Sequence, residues 1–159
     1  MDSLLDVMLE ARRLTAPWDD DLRDELDGHI AELRAGRGDT RSMNILFLPT
    51  GPLQELSLDS GWGDEFVALA DRFDLARCVH DGRAVHLCEL CGAQAAKLTC
   101  AAGELRRETF TGVLTQRETP AVRAAIADAA ALYALDPELA PFHCPECRRT
   151  YCGDHRQRH

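Results

Sequence analysis

Cys144-Pro145-Glu146-Cys147-Arg148-Arg149-Thr150-Tyr151-Cys152-Gly153-Asp154-His155-Arg156-Gln157-Arg158-His159 is the stretch from which the rest of this chain can be read. A Cys-x-x-Cys turn lets two thiolates grip one metal ion while backbone amides of the turn point at the sulfurs, and Cys88-Glu89-Leu90-Cys91 supplies a second such turn. Cys152 and His155, three apart, fall on one face of a helix. Cys88, Cys91, Cys144, Cys147, Cys152 and His155 are therefore the expected metal ligands, and zinc, which takes four soft or borderline donors per structural site, is the expected ion. Six donors exceed the needs of one zinc and fall short of two.

The surroundings of these residues favour metal over disulfides. The amino terminus, Met1-Asp2-Ser3, opens with acid rather than the base of a secretory signal, and the longest apolar runs, 45–48 and 129–135, fall far short of the ~20 residues of a membrane helix. A cytoplasmic chain with no membrane association is expected, and in a reducing compartment paired Cys-x-x-Cys spacings indicate metal. The odd count of seven cysteines also argues against a complete internal disulfide set. A thioredoxin-type redox motif needs a strand before it and a long helix after it, and neither pair has that context.

Composition, with 45% hydrophobic and 28% charged residues, is that of a chain with a core to bury. Charge is uneven: residues 1–75 hold 17 acids and 7 arginines, whereas 76–159 hold 10 acids and 11 bases. The acidic half should avoid nucleic acid and membrane surfaces. Arg148, Arg149, Arg156 and Arg158 form a local basic patch, read as a solvated surface around a thiolate-bound metal, with phosphate binding as the alternative. Lys97 is the single lysine against 17 arginines.

Periodicity predicts an α+β protein with an acidic, mainly helical lobe over 1–76 and a zinc-binding lobe over 77–159. Apolar residues at helical spacing predict helices over 3–14 and from Trp18 through Leu22, Leu26, Ile30 and Leu33 to Gly36. The run 43–48 suits a buried strand or a hydrophobic arm, 53–58 a turn or two of helix, and 65–75 a helix burying Phe66, Leu69, Ala70 and Phe73. In the second lobe, Val79 and 84–87 around Asp81-Gly82 read as a hairpin leading into Cys88, and 97–100 with 106–114 as a second hairpin closed at Gly103. Thr119-Pro120 should start one long helix, with Val122, Ile126, Ala129 and Leu132 on its apolar face, ending at Asp136-Pro137.

Four residues between Cys147 and Cys152 are too few for a free-standing hairpin, so neighbouring pairs can serve different metals. In the preferred scheme Cys88 and Cys91 share an ion with Cys152 and His155, and Cys144 and Cys147 recruit further ligands, with Cys100 and His159 as candidates. The simpler alternative puts Cys144, Cys147, Cys152 and His155 on one ion. Cys78 reads as a small core residue, and His80, His86 and His143 as ordinary surface or supporting groups.

The pattern Phe142-His-Cys144-x2-Cys147-x4-Cys152-x2-His155-Arg resembles the second half of cross-brace and treble-clef zinc fingers, particularly the AN-type fingers and, less closely, RING and in-between-RING domains. The resemblance implies alternate ligand pairs sharing a zinc and Tyr151 packed between sites. It covers about twenty residues plus the Cys88 pair; about fifty residues separate the halves, and the closing His-x-Cys is absent.

A closed four-ligand shell rich in thiolate makes a poor Lewis acid. The chain carries no His-x-Glu ahead of a Pro-Cys-x-x-Cys, no phosphate loop, no nucleophile elbow and no His-Glu-x-x-His. The expectation is a non-enzymatic zinc-binding module that engages a protein partner, with Trp18 and Trp62 as anchors on the acidic lobe. A RING-like ubiquitin-type ligase adaptor and a nucleic-acid-binding finger are the alternatives.

Overall fold

Ser3 opens the first helix as a reciprocal cap: its hydroxyl accepts from the Asp6 amide at 3.1 Å while the Asp6 carboxylate accepts from the Ser3 amide at 3.0 Å. This computed structural model describes residues 2–156. The chain is α+β and forms two compact units, Met1–His80 and Asp81–His159.

The first unit is helical. Helix α1 spans Leu4–Thr15, and α2 spans Asp20–Arg34 behind an Asp19 cap whose carboxylate accepts from the Leu22 amide at 2.9 Å. Their buried stripes, Val7, Met8 and Ala11 on one and Leu22, Leu26 and Ile30 on the other, recur at three and four, as helix-on-helix packing needs. Trp18, expected within the α2 stripe, lies in the turn ahead of the Asp19 cap and is 59% exposed. Helix α3, Thr40–Leu46, corrects the strand or arm expected over 43–48. Asp39 caps it, and Met43, Leu46 and Phe47 are buried while Ile45 and Leu48 are exposed, a spacing of three and four that a six-residue apolar run conceals. Helices α4, Pro52–Ser60, and α5, Gly63–Asp81, complete the unit. Phe73 of α5 stacks on Phe47, ring centroids 4.1 Å apart, and Trp62, ahead of α5, is buried at 6% exposure.

The second unit is built on a four-stranded antiparallel meander: β1 Arg83–Leu87, β2 Gln94–Ala101, β3 Glu104–Thr109 and β4 Gly112–Arg117. Alternation sends Ala84 and His86, Leu98 and Cys100, and Leu105 and Arg107 to the buried face. The expected hairpin around Asp81-Gly82 is not formed, because Val79 and Asp81 end α5. Instead β1 pairs with β2, from Arg83↔Thr99 to His86↔Ala96 in one register and then, after a shift, at Leu87↔Gln94, so the Cys88 turn is itself the hairpin connection. The turn at Gly103 joins β2 to β3, with Ala102 and Gly103 both left-handed, as a two-residue hairpin requires. The strand expected to run on from Arg106 to Leu114 turns at Phe110-Thr111 into β4.

The single long helix expected from Thr119 is two: α6 Pro120–Ala125, capped by Thr119, and α7 Ala129–Leu135, capped by Asp128. Asp128 breaks the run because its carboxylate accepts from the Ala131 amide at 3.1 Å, offering the backbone a fresh start. Val122, Ile126, Leu132, Leu139 and Phe142 are buried in this unit, and His86 donates from Nε2 to the Ile126 carbonyl at 2.9 Å with its ring 4.9 Å from that of Phe142. A last helix, α8, spans Gly153–Arg156. Among the described residues no helix is long and apolar enough to cross a membrane.

Candidate metal centre

The turn between β1 and β2 has the backbone of a metal knuckle. The Cys88 amide donates to the Ala93 carbonyl at 2.8 Å, and the Gly92 amide returns to the Cys88 carbonyl at 2.9 Å. Gly92 takes φ 72°, a left-handed conformation that suits glycine and turns the chain back towards β2. Burial raises the Cys88 thiol, but the amides of Cys152, Cys91 and Leu90 point at its sulfur and outweigh it, bringing it down to about 6. Cys91 moves the other way. The Ala93 amide favours its thiolate, but burial and the neighbouring sulfurs of Cys88 and Cys152 raise it. Sulfurs gathered this closely are donors that a cation could hold together.

Cys152 and His155 approach from the far end of the unit. The carbonyl of Cys152 accepts from the amides of His155 and Arg156, at 3.1 and 2.9 Å, so both side chains sit on the opening turn of α8. Phe142 and Tyr151 are held together by the Tyr151 amide donating to the Phe142 carbonyl at 2.9 Å, and the Glu89 amide reaches across to the Thr150 carbonyl at 2.9 Å. That cross-link sets the two ligand pairs face to face.

The donor atoms of Cys88, Cys91, Cys152 and His155 all lie within 4.8 Å of one another. His155 Nδ1 stands 3.5 Å from Cys88 Sγ and 3.2 Å from Cys152 Sγ, and the Cys91 and Cys152 sulfurs are 3.8 Å apart. A zinc–sulfur bond of about 2.3 Å gives a tetrahedron an S···S edge of about 3.8 Å, with S···N edges shorter by a few tenths. The residues therefore fit a tetrahedral metal ion with a Cys3His shell.

The other sequence-derived candidates lie elsewhere. Cys144 and Cys147 form a second knuckle outside this foursome, with Cys147 Sγ 3.3 Å from the Tyr151 hydroxyl. The hydroxyl, then the Arg149 amide and the Cys144 side chain, lower the Cys147 thiol against the effect of burial. Cys100 faces inward on β2, opposite Leu105, where burial raises its thiol. His86 and His143 are buried, and burial lowers the pKa of each. His159 lies outside the described residues.

Two contributors went unnoticed in the sequence. A Cβ on Gly153 would meet Phe110 Cβ at 2.8 Å, so the start of α8 rests on the β3–β4 turn through the absence of a side chain. Arg107, inward on β3, donates to the Glu138 carbonyl and to the Thr111 hydroxyl, tying the sheet to the segment between α7 and α8. Arginine in a strand carries no sign of being buried. No family model, no curated protein and no solved structure matches this chain.

Proposed function

We propose that the carboxy-terminal unit is a treble-clef-like zinc module in which the ion is structural, and that the protein is a non-enzymatic interaction or regulatory module. The observation that carries this reading is the convergence of four donors from two segments sixty residues apart on a tetrahedron's edges. Four protein ligands fill the shell of a zinc ion and leave no position for a substrate. The order of parts also supports it: a knuckle at a hairpin, further strands, then a helix whose first turn brings the last two ligands. Bound there, zinc supplies cross-linking free energy, about 10–16 kcal/mol in isolated zinc-finger peptides, rather than a reactive water.

A protein partner is the preferred target. Exposed Leu87 precedes the knuckle and exposed Leu90 lies within it, and half-exposed Phe110 abuts Gly153 beside Cys152, so the clamp would fix apolar side chains at the surface. Trp62 is no anchor, since it is buried; of the two tryptophans only Trp18 is exposed. A RING-like ligase adaptor is the second reading, favoured because the first and last ligand pairs meet while the pair between them stays out, the alternation of a cross-brace.

Metal analysis of chain purified without added metal tests the first claim. At least one zinc per chain is expected, lost on Cys152→Ser; metal-free protein with an intact fold overturns it. Chemical cross-linking to a partner should disappear when the metal is stripped, and unchanged cross-linking would remove the interaction reading. Binding to a ubiquitin-conjugating enzyme separates the adaptor from the general case.

A further inference from the structure

The two Cys-x-x-Cys turns share one backbone pattern. In the first, the Cys88 amide donates to the Ala93 carbonyl at 2.8 Å and the Gly92 amide to the Cys88 carbonyl at 2.9 Å; in the second, the Cys144 amide donates to the Arg149 carbonyl at 2.9 Å and the Arg148 amide to the Cys144 carbonyl at 2.8 Å. Cys152 and His155 meet the first turn. Among the described residues, the one group of three or more cysteine, histidine or acidic donors is that Cys3His centre, and the second turn lies outside it. It presents two sulfurs, half of what a structural zinc takes, and two neighbouring thiols are also a complete redox couple.

The geometry of the second turn suits that couple. A turn of this kind keeps its ends within ~7 Å, close to the ~4.4–6.8 Å that the Cα atoms of a disulfide span. The Cys144 side chain hydrogen-bonds to the Cys147 sulfur, so the two sulfurs already face each other. They differ in access: Cys144 is 4% exposed, whereas Cys147 is partly open to solvent. An incoming reagent meets Cys147 first. The Tyr151 hydroxyl lies 3.3 Å from Cys147 Sγ and the Arg149 amide points at the same atom, so a thiolate there has two donors besides Cys144. Arg148 is held left-handed at φ 58°, a conformation that a residue with a Cβ adopts only where its surroundings impose it. The sulfurs are kept together although the backbone that holds them favours glycine.

We infer that Cys144 and Cys147 are a redox-active dithiol that forms a reversible disulfide by exchange with small-molecule disulfides. The Cys147 thiolate attacks one sulfur of the incoming disulfide, whose S–S bond breaks as the new one forms, and one thiolate leaves. Cys144 then gives up its proton and attacks the Cys147 sulfur, releasing the second thiolate. Two electrons pass from the pair to the reagent, and the two protons of the dithiol end on the two released thiols. The strand and long helix of a thioredoxin motif are not needed, because the Tyr151 hydroxyl and the Arg149 amide stand where a helix end would otherwise favour the thiolate. The inference does not depend on what the Cys3His centre is for.

Equilibrating the full chain in glutathione buffers from reducing to oxidising, alkylating the remaining thiols and mapping each cysteine by mass spectrometry tests it. In the wild type, Cys144 and Cys147 should lose alkylation together in the oxidising buffer, appear as a disulfide with each other, and regain alkylation in excess reduced glutathione. Cys144→Ser should retain a glutathione mixed disulfide on Cys147, because the second attack is removed. Cys147→Ser should show no adduct on Cys144. The wild-type map needs no substitution, so the test survives a variant that fails to fold. Alkylation of both cysteines in the oxidising buffer overturns the inference, as does a disulfide from either to a different cysteine. Protection of both in the reducing buffer, lifted by a chelator, would identify a metal site and overturn it equally. An adduct on Cys144 in Cys147→Ser overturns the order of attack.

Discussion

The backbone amide of Glu89, inside the first knuckle, donates to the carbonyl of Thr150 at 2.9 Å, two residues before Cys152. Backbone pairing therefore brings the two halves of the candidate metal centre together, and a bound ion would close a gap that hydrogen bonding has already narrowed. The same bond fixes which pair joins Cys88 and Cys91. With Glu89 held to Thr150, Cys152 and His155 face the first knuckle while Cys144 and Cys147 form a separate turn.

Stripping the metal should consequently unravel one end of the second unit rather than the whole chain. Without a cation, sulfurs 3.8 Å apart repel once ionised, and one backbone hydrogen bond of about 1 kcal/mol cannot hold them. Hydrogen exchange after chelation should lose protection over 88–93 and 142–156 and keep it in α1, α2 and α5, which belong to a core of their own. Equal loss across both units would show that the ion stabilises more than this centre.

Trp62 provides a test of the first unit's core. Its indole is buried at 6% exposure and its Nε1 has no acceptor among the described residues. Trp62→Ala should cost about 3–5 kcal/mol by cavity formation. Trp62→Phe should cost far less, because it keeps most of the apolar volume and removes an unsatisfied donor. Chemical denaturation distinguishes them; equal losses would mean that the indole nitrogen is hydrogen-bonded in solution.

Much of this was legible because it rests on local chemistry. Ser3, Asp19 and Thr119 begin helices where capping residues precede an apolar stripe, and the knuckles follow from cysteine spacing. Two of the failures share one cause, a run whose period or pairing is set by partners distant in sequence. Residues 43–46 close helix α3, whose cap residue Phe47 stacks on Phe73, and the expected 79–87 hairpin is displaced because β1 finds a longer partner in β2 across the knuckle. The break at Asp128 has a local cause: alanines around it extend the helical pattern in the sequence, but its side chain competes for the backbone amide of Ala131. The meeting of Cys88 and Cys91 with Cys152 and His155 was one of two open ligand schemes, and only the long-range Glu89–Thr150 pairing selects it.

Gly153 offers a test of how tightly α8 is seated. A methyl group there would lie 2.8 Å from Phe110 Cβ and 3.1 Å from Cγ, closer than carbon atoms approach. Gly153→Ala should destabilise the second unit by about 1–3 kcal/mol and weaken metal binding, because Cys152 and His155 move with the helix start. Adding Phe110→Gly, which removes the opposing Cβ, should restore part of both in thermal melts and metal titrations. No recovery would show that the cost arises from α8 itself.

Acid should destabilise the second unit in two stages of the same sign. Cys88 has its thiol held at about 6 when folded, below its ordinary value, so the stability it contributes is complete above the unfolded pKa of about 8.5 and is lost as pH falls through 6. His86 is buried, and burial lowers its pKa although the Ile126 carbonyl acts against the shift. Below the unfolded value of about 6.5 the unfolded chain takes a proton that the folded imidazole refuses, and stability falls further until the lower folded pKa is reached. His143, buried with its pKa also lowered, adds to the same slope. The unfolding free energy should decline from pH 8 to pH 5, and His86→Gln should flatten the part below 6.5 while leaving the slope above it. A His86→Gln profile parallel to wild type below 6.5 would mean that the imidazole is charged in the folded state.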